Sequence, residues 1–125
     1  MRKWEKLLNK DFKKFQEVFK KYQEKFGLTG YKVYFKHELL QDSFADIAVN
    51  QPDMVATVRL DTSNKEREFR NISQSAKHEA IHLLTARLQA LGMQRYVRQD
   101  EIFEAVEELA FKLEKLIPDI KEEKW

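Results

Sequence analysis

Between residues 3 and 26 the chain carries one apolar seam. Trp4, Leu8, Phe12, Phe15, Phe19, Tyr22 and Phe26 recur at steps of three and four, with lysines and glutamates between them. That period predicts an amphipathic helix, and Gly27 ends it, as a glycine just past the last turn commonly does. A seam this aromatic has to be covered by a second layer, so the rest of the chain must supply one.

The period then changes. In "YKVYFKHEL", Tyr31, Val33 and Phe35 alternate with Lys32, Tyr34 and Lys36, which is the pattern of a strand. "ADIAVN" and "MVATVRLD", joined by "QPD", read as an antiparallel hairpin, with Pro52 in a turn where its missing N–H costs nothing. After the polar "TSNKEREFRN", Asn71 and Gln74 have the spacing of a capping box. Helical spacing resumes at Ile72 and runs to Leu91 through Ala76, Ala80, Ile81, Leu83, Leu84 and Leu88, and Gly92 closes it. A last helix covers Gln99 to Ile117, its buried face Ile102, Val106, Leu109, Leu113 and Leu116 or Ile117, and Pro118 stops it. The order α-β-β-β-α-α predicts an α+β domain: an N-terminal helix, a small, largely antiparallel three-stranded sheet, then two helices.

A length of 125 residues suits one domain, 1–125, which can close a core without disulfides. The chain has no cysteine, which excludes thiol nucleophiles and cysteine zinc sites and fits a cytoplasmic location. "MRKWEKLLNKDF" lacks the apolar core and small-residue cleavage site of a signal peptide. No apolar run approaches the roughly 20 residues that span a bilayer, so no membrane partner is expected. A net charge of +2, with 35% of residues charged, describes a solvated surface rather than a nucleic-acid footprint.

Chemistry concentrates in "KHEAIHLL", residues 77 to 84. Residues four apart on a helix stand one above the other, so His78 and His82 can converge on one metal ion, and two imidazoles suit zinc. Glu79, beside the first histidine, then faces water on the metal and can act as general base. A third ligand is required. The extended metzincin pattern would need glycine at 85 and histidine at 88, where this chain has Thr85 and Leu88. His37, on the first strand, reads as a surface or strand-end residue. A carboxylate from the last helix is the natural completion, and Glu101, Glu104, Glu107 and Glu108 compete for it. Helical geometry ranks Glu107 first because it lies nearest the border of the apolar face, with Glu104 and Glu108 in reserve.

"KHEAIHLL" followed by "RYVRQDEIFEAVEELAFKLEKL" resembles the minimal gluzincins of phage and mobile-element genomes. The upstream "FGLTGYKVYFKHELLQDSFADIAVNQPDMVATVRLD" is similar too, so the likeness spans residues 15 to 117. Its specific part is the HExxH; the hairpin and last helix are weak patterns alone. The resemblance implies a zinc metallopeptidase with His78 and His82 as ligands, Glu79 as base and acid, and a glutamate ligand from the last helix. Glu107 lies 107 − 82 = 25 residues past the second histidine, and "EELA" resembles the ligand motif of ImmA/IrrE-like relatives. Those relatives often place a polar residue one turn later to brace a histidine, where this chain has Phe111. SprT-like proteins, more distant, would need a downstream histidine that this chain lacks.

Such a site is expected to take a protein or peptide substrate extended along the hairpin's free edge, held by backbone hydrogen bonds. Tyr96, Arg95 and Arg98 are the candidate oxyanion donors. The competing expectation is a zinc-stabilised binding module of the same fold that cleaves nothing.

Overall fold

The computed structural model describes residues 3–63, 71–93 and 98–120, the Trp4 side chain excepted. Its elements are α1 (Lys3–Lys25), β1 (Lys32–Glu38), β2 (Ala45–Asn50), β3 (Val55–Asp61), α2 (Ile72–Gly92) and α3 (Gln99–Leu116). The class is α+β, as the change of period predicts.

The aromatic seam of α1 becomes the core. Phe15 and Phe19 are fully buried, and Val18 and Tyr22 nearly so, against Ala56, Val58 and Leu60 of β3 and Ala76, Ala80 and Leu83 of α2. Full burial of a phenylalanine side chain contributes on the order of 2–3 kcal/mol. Gly27 sits at φ 72°, a conformation glycine adopts without strain. There the Gly27 N–H donates to the Glu24 carbonyl at 3.0 Å and the Leu28 N–H to the Gln23 carbonyl at 2.9 Å, satisfying the last carbonyls of α1.

β2 and β3 form the expected antiparallel hairpin, and β1 joins the other side of β3 in parallel, giving the order β1-β3-β2. The sheet is therefore mixed. β3 is central, and its Ala56, Val58 and Leu60 face the helices with Val33 and Phe35 of β1 and Ile47 and Val49 of β2. The connection from β1 to β2 crosses the end of β3, where buried Asp61 pins it. Asp61 Oδ1 accepts from the Leu40 N–H at 2.9 Å, and the Asp61 N–H donates to the Phe44 carbonyl at 2.8 Å. Between β2 and β3, the Met54 N–H donates to the Gln51 carbonyl at 3.2 Å and Met54 takes φ 54°, a position that favours glycine.

Asn71 caps α2, its Oδ1 accepting from the Gln74 N–H at 3.0 Å. Leu84 turns outward between buried neighbours, and burial along α2 stops at Ala86, so Leu84, Leu88 and Leu91 are exposed, contrary to the buried face expected of them. Leu116 is exposed as well, while Ile117 packs on the core.

α3 lies antiparallel to α2. A Cβ on Gly92 would meet Ile102 Cδ1 at 3.2 Å, so glycine permits close approach at one end. At the other end the buried Lys77 ammonium donates to the Ile117 carbonyl at 2.7 Å and to Asp119 Oδ1 at 2.8 Å. The Ile120 N–H donates to the Tyr22 hydroxyl oxygen at 2.9 Å, so the segment after α3 is tied to both α2 and α1. No helix among the described residues is long and apolar enough to cross a membrane.

Candidate metal centre

One face of α2, stepping through Asn71, Ser75, His78, His82, Ala86, Gln89 and Met93, forms the floor of a groove of about 970 Å³. β2 walls it on one side, and Phe103, Glu107, Phe111 and Glu114 of α3 wall it on the other. Because α2 is pinned between sheet, α1 and α3, its two histidines emerge at mid-groove with side chains only 17% and 13% exposed.

The spacing brings the imidazoles together. His78 Nε2 and His82 Nε2 are 3.1 Å apart, and Glu107 Oε1 stands 2.7 Å from His82 Nε2 while Glu107 Oε2 stands 3.5 Å from His78 Nε2. These three residues form a group able to hold a metal ion. Ligands about 2.0–2.1 Å from a tetrahedral zinc are separated by about 3.3 Å along the edges of the tetrahedron. The imidazole nitrogens, 3.1 Å apart, lie close to that edge, and one ligand atom from each of the three residues lies within 4.8 Å of the others, so the donor set fits such an ion.

The other three glutamates that competed for this position are turned elsewhere. Glu101 accepts from Arg98 Nε at 2.9 Å, and Glu108 accepts from Lys112 Nζ at 2.8 Å, which holds its carboxyl below the usual range. Glu104 is exposed, and none of the three lines the groove. His37 is also remote from the cluster, stacked on Phe12 with ring centroids 4.6 Å apart. Of the residues expected to stabilise an oxyanion, Tyr96 and Arg95 lie outside the described residues. Arg98 is bound to its own helix's carboxylates rather than lining the groove.

Glu79 lines the groove beside the cluster and is 6% exposed. Burial pushes its carboxyl up to about 8, and the negative charges of Glu107, Asp46 and Glu114 push in the same direction. Burial also lowers the pKa of His82, with His78 working the same way against Glu107 and Glu114, so the neutral, ligating imidazole is favoured. Glu107 and Glu114 place two carboxylates against the two imidazoles, a field that favours a cation.

One residue of this centre went unnoticed in the sequence. Glu114, two turns beyond Glu107, has a side chain only 10% exposed, and its Oε2 is 3.5 Å from His78 Nδ1. His78 thus turns Nε2 to the cluster and Nδ1 to a carboxylate. Phe111, standing where a bracing polar residue was expected, packs on the His78 ring at 5.1 Å between centroids. The available signal was the seven-residue step from Glu107 to Glu114, which keeps both carboxylates on one helix face.

β2 is an edge strand, and its register shows which of its backbone groups face the groove. The bond from the Asp61 N–H to the Phe44 carbonyl marks 44 and 61 as a hydrogen-bonded pair. Bonded and non-bonded pairs alternate in an antiparallel ladder, so Ala45, Ile47 and Val49 turn their N–H and C=O groups away from β3. Comparison of the chain with protein-family models, curated proteins and solved structures finds no match.

Proposed function

We propose that the chain is a zinc-dependent peptidase of gluzincin type that hydrolyses peptide bonds in an extended protein segment. The observation that carries this reading is Glu79, a buried carboxyl opening on the groove beside the His78–His82–Glu107 group. A purely structural metal site has no use for such a base, so Glu79 weighs against the zinc-stabilised binding module.

His78, His82 and Glu107 would hold the ion. Zinc, when bound, supplies Lewis acidity toward water and a carbonyl oxygen, and a double positive charge that offsets the carboxylate fields raising Glu79. Ala45, Ile47 and Val49 of β2 offer their backbone groups to a substrate strand and fix its register along the groove. Glu79 removes a proton from the attacking water, whose hydroxyl adds to the scissile carbonyl carbon. As the C–N bond breaks, Glu79 returns that proton to the leaving nitrogen, so one water is consumed per bond cut. Glu114 holds His78 in the tautomer that leaves Nε2 free to ligate.

The test pairs metal content with cleavage. Purified wild type should carry one zinc per chain and cut members of a panel of denatured proteins, and Glu79→Gln should keep the zinc and lose the cutting. Equal cleavage patterns for the two proteins, or no zinc in the wild type, would sink the peptidase reading.

A further inference from the structure

α3 places Phe103 one turn before Glu107 and Phe111 one turn after it, all three on the groove wall. Both phenylalanines are half-exposed, at 49% and 54%, so each keeps a ring face available to a bound chain. The distance between them is informative. Eight helical residues span about 12 Å, whereas side chains on one face of an extended strand, four residues apart, stand about 13 Å apart. The two repeats match within one bond length. The groove is bordered by β2 from Ser43 to Gln51 and by α2 from Asn71 to Met93, and α3 lies antiparallel to α2. A strand paired at Ala45, Ile47 and Val49 therefore passes along α3 with every second side chain toward the helices.

The two ends differ in polarity. Ala86, Ala90 and Met93 line the groove with Phe103, whereas Ser75 and Glu114 line it with Phe111. The Phe103 end is thus the more apolar.

Resting on the peptidase reading, we propose that the substrate is an extended segment with large apolar side chains four residues apart. One lies against Phe103 and the other against Phe111, and the bond cut adjoins the residue midway between them. Substrate selection then resides in α3 as well as in the edge strand.

The experiment uses blocked synthetic peptides carrying leucine at both positions, at either one, at neither, or at a spacing of three. Each is titrated into zinc-loaded Glu79→Gln protein by fluorescence anisotropy and offered to wild type as a substrate. The four-spaced peptide should bind about tenfold tighter than either single-leucine peptide. Phe103→Ala and Phe111→Ala should each erase the preference at one position, and Phe103→Leu and Phe111→Leu should restore most of it. Equal affinity for the three- and four-spaced peptides, or no binding by any, overturns the inference. Selective binding without cleavage by wild type keeps the four-residue spacing and removes the peptidase reading together with the cleavage position; cleavage without selectivity keeps the peptidase reading and overturns the spacing.

Discussion

Glu114 and His78 meet on the far side of the imidazole from the cluster: Glu114 Oε2 is 3.5 Å from His78 Nδ1, while His78 Nε2 is 3.1 Å from His82 Nε2. A carboxylate in that position selects the tautomer with hydrogen on Nδ1 and fixes the plane of the ring. Glu114→Ala should therefore weaken zinc binding about 10–100-fold, read by competition with a chromophoric chelator. Glu114→Gln, which can still accept from Nδ1–H, should lose less. Wild-type affinity in Glu114→Ala would show that the carboxylate plays no part in holding the ring.

The four glutamates of α3 that competed for the third position, Glu101, Glu104, Glu107 and Glu108, can be separated by the same measurement. Glu107→Ala should lose zinc on dialysis, whereas Glu101→Ala, Glu104→Ala and Glu108→Ala should keep one ion per chain. The reason is orientation: Glu101 and Glu108 are engaged by Arg98 and Lys112, and Glu104 does not reach the groove. Retention of zinc by Glu107→Ala together with loss from Glu104→Ala would reassign the third ligand.

Glu79 gives a pH dependence in the metal-free protein. Its folded pKa of about 8 exceeds the ordinary 4.5, so between those values the native state holds a proton that the unfolded chain has released. The stabilisation from the neutral carboxyl is complete below pH 4.5 and is lost as pH rises through 8. The slope is at most about 1.4 kcal/mol per pH unit. His82, lowered by burial, acts with the opposite sign as pH falls below its ordinary value. The difference between wild type and Glu79→Gln isolates the glutamate: urea melts at pH 5 and pH 8, with chelator present, should show a smaller loss in the variant.

Lys77 links α2 to the segment after α3, and that link should be measurable. Lys77→Met leaves the Ile117 carbonyl without its donor, and an unsatisfied buried group costs about 1–3 kcal/mol. Asp119→Asn should cost much less, because that side chain is 86% exposed. Denaturant midpoints decide the matter, and equal shifts in the two variants would mean the carbonyl bond is not the stabilising part.

The order and extent of the elements could be read from the chain, because hydrophobic period and capping chemistry are local. The α1 seam, the Gly27 stop, the Asn71 cap and the juxtaposition of His78 with His82 all follow from spacing. The β2–β3 hairpin followed too, but the partner of β1 did not. Alternation in β1 says which side chains share a face, not that β1 joins β3 in parallel while β2 takes the outer edge. Periodicity also placed Leu84, Leu88 and Leu91 on a buried face, yet Leu84 turns outward and burial along α2 ends at Ala86. An apolar stripe shows where a partner can dock but not how far that partner extends. Glu114 was overlooked for a related reason: its role depends on how α3 lies across α2, and Lys77 helps fix that packing from a distance.

Asp61 fixes β2 through the strap that crosses the end of β3, while α3 is moored through Lys77 and the residues after it. The groove's two banks therefore hang from separate anchors, one in the sheet and one in the helical layer, while the histidines rise from the bed between them. A variant that slackens the Asp61 anchor should widen the channel and leave the spacing of His78, His82 and Glu107 intact. In this small fold the edge strand is held separately from the residues that could hold an ion.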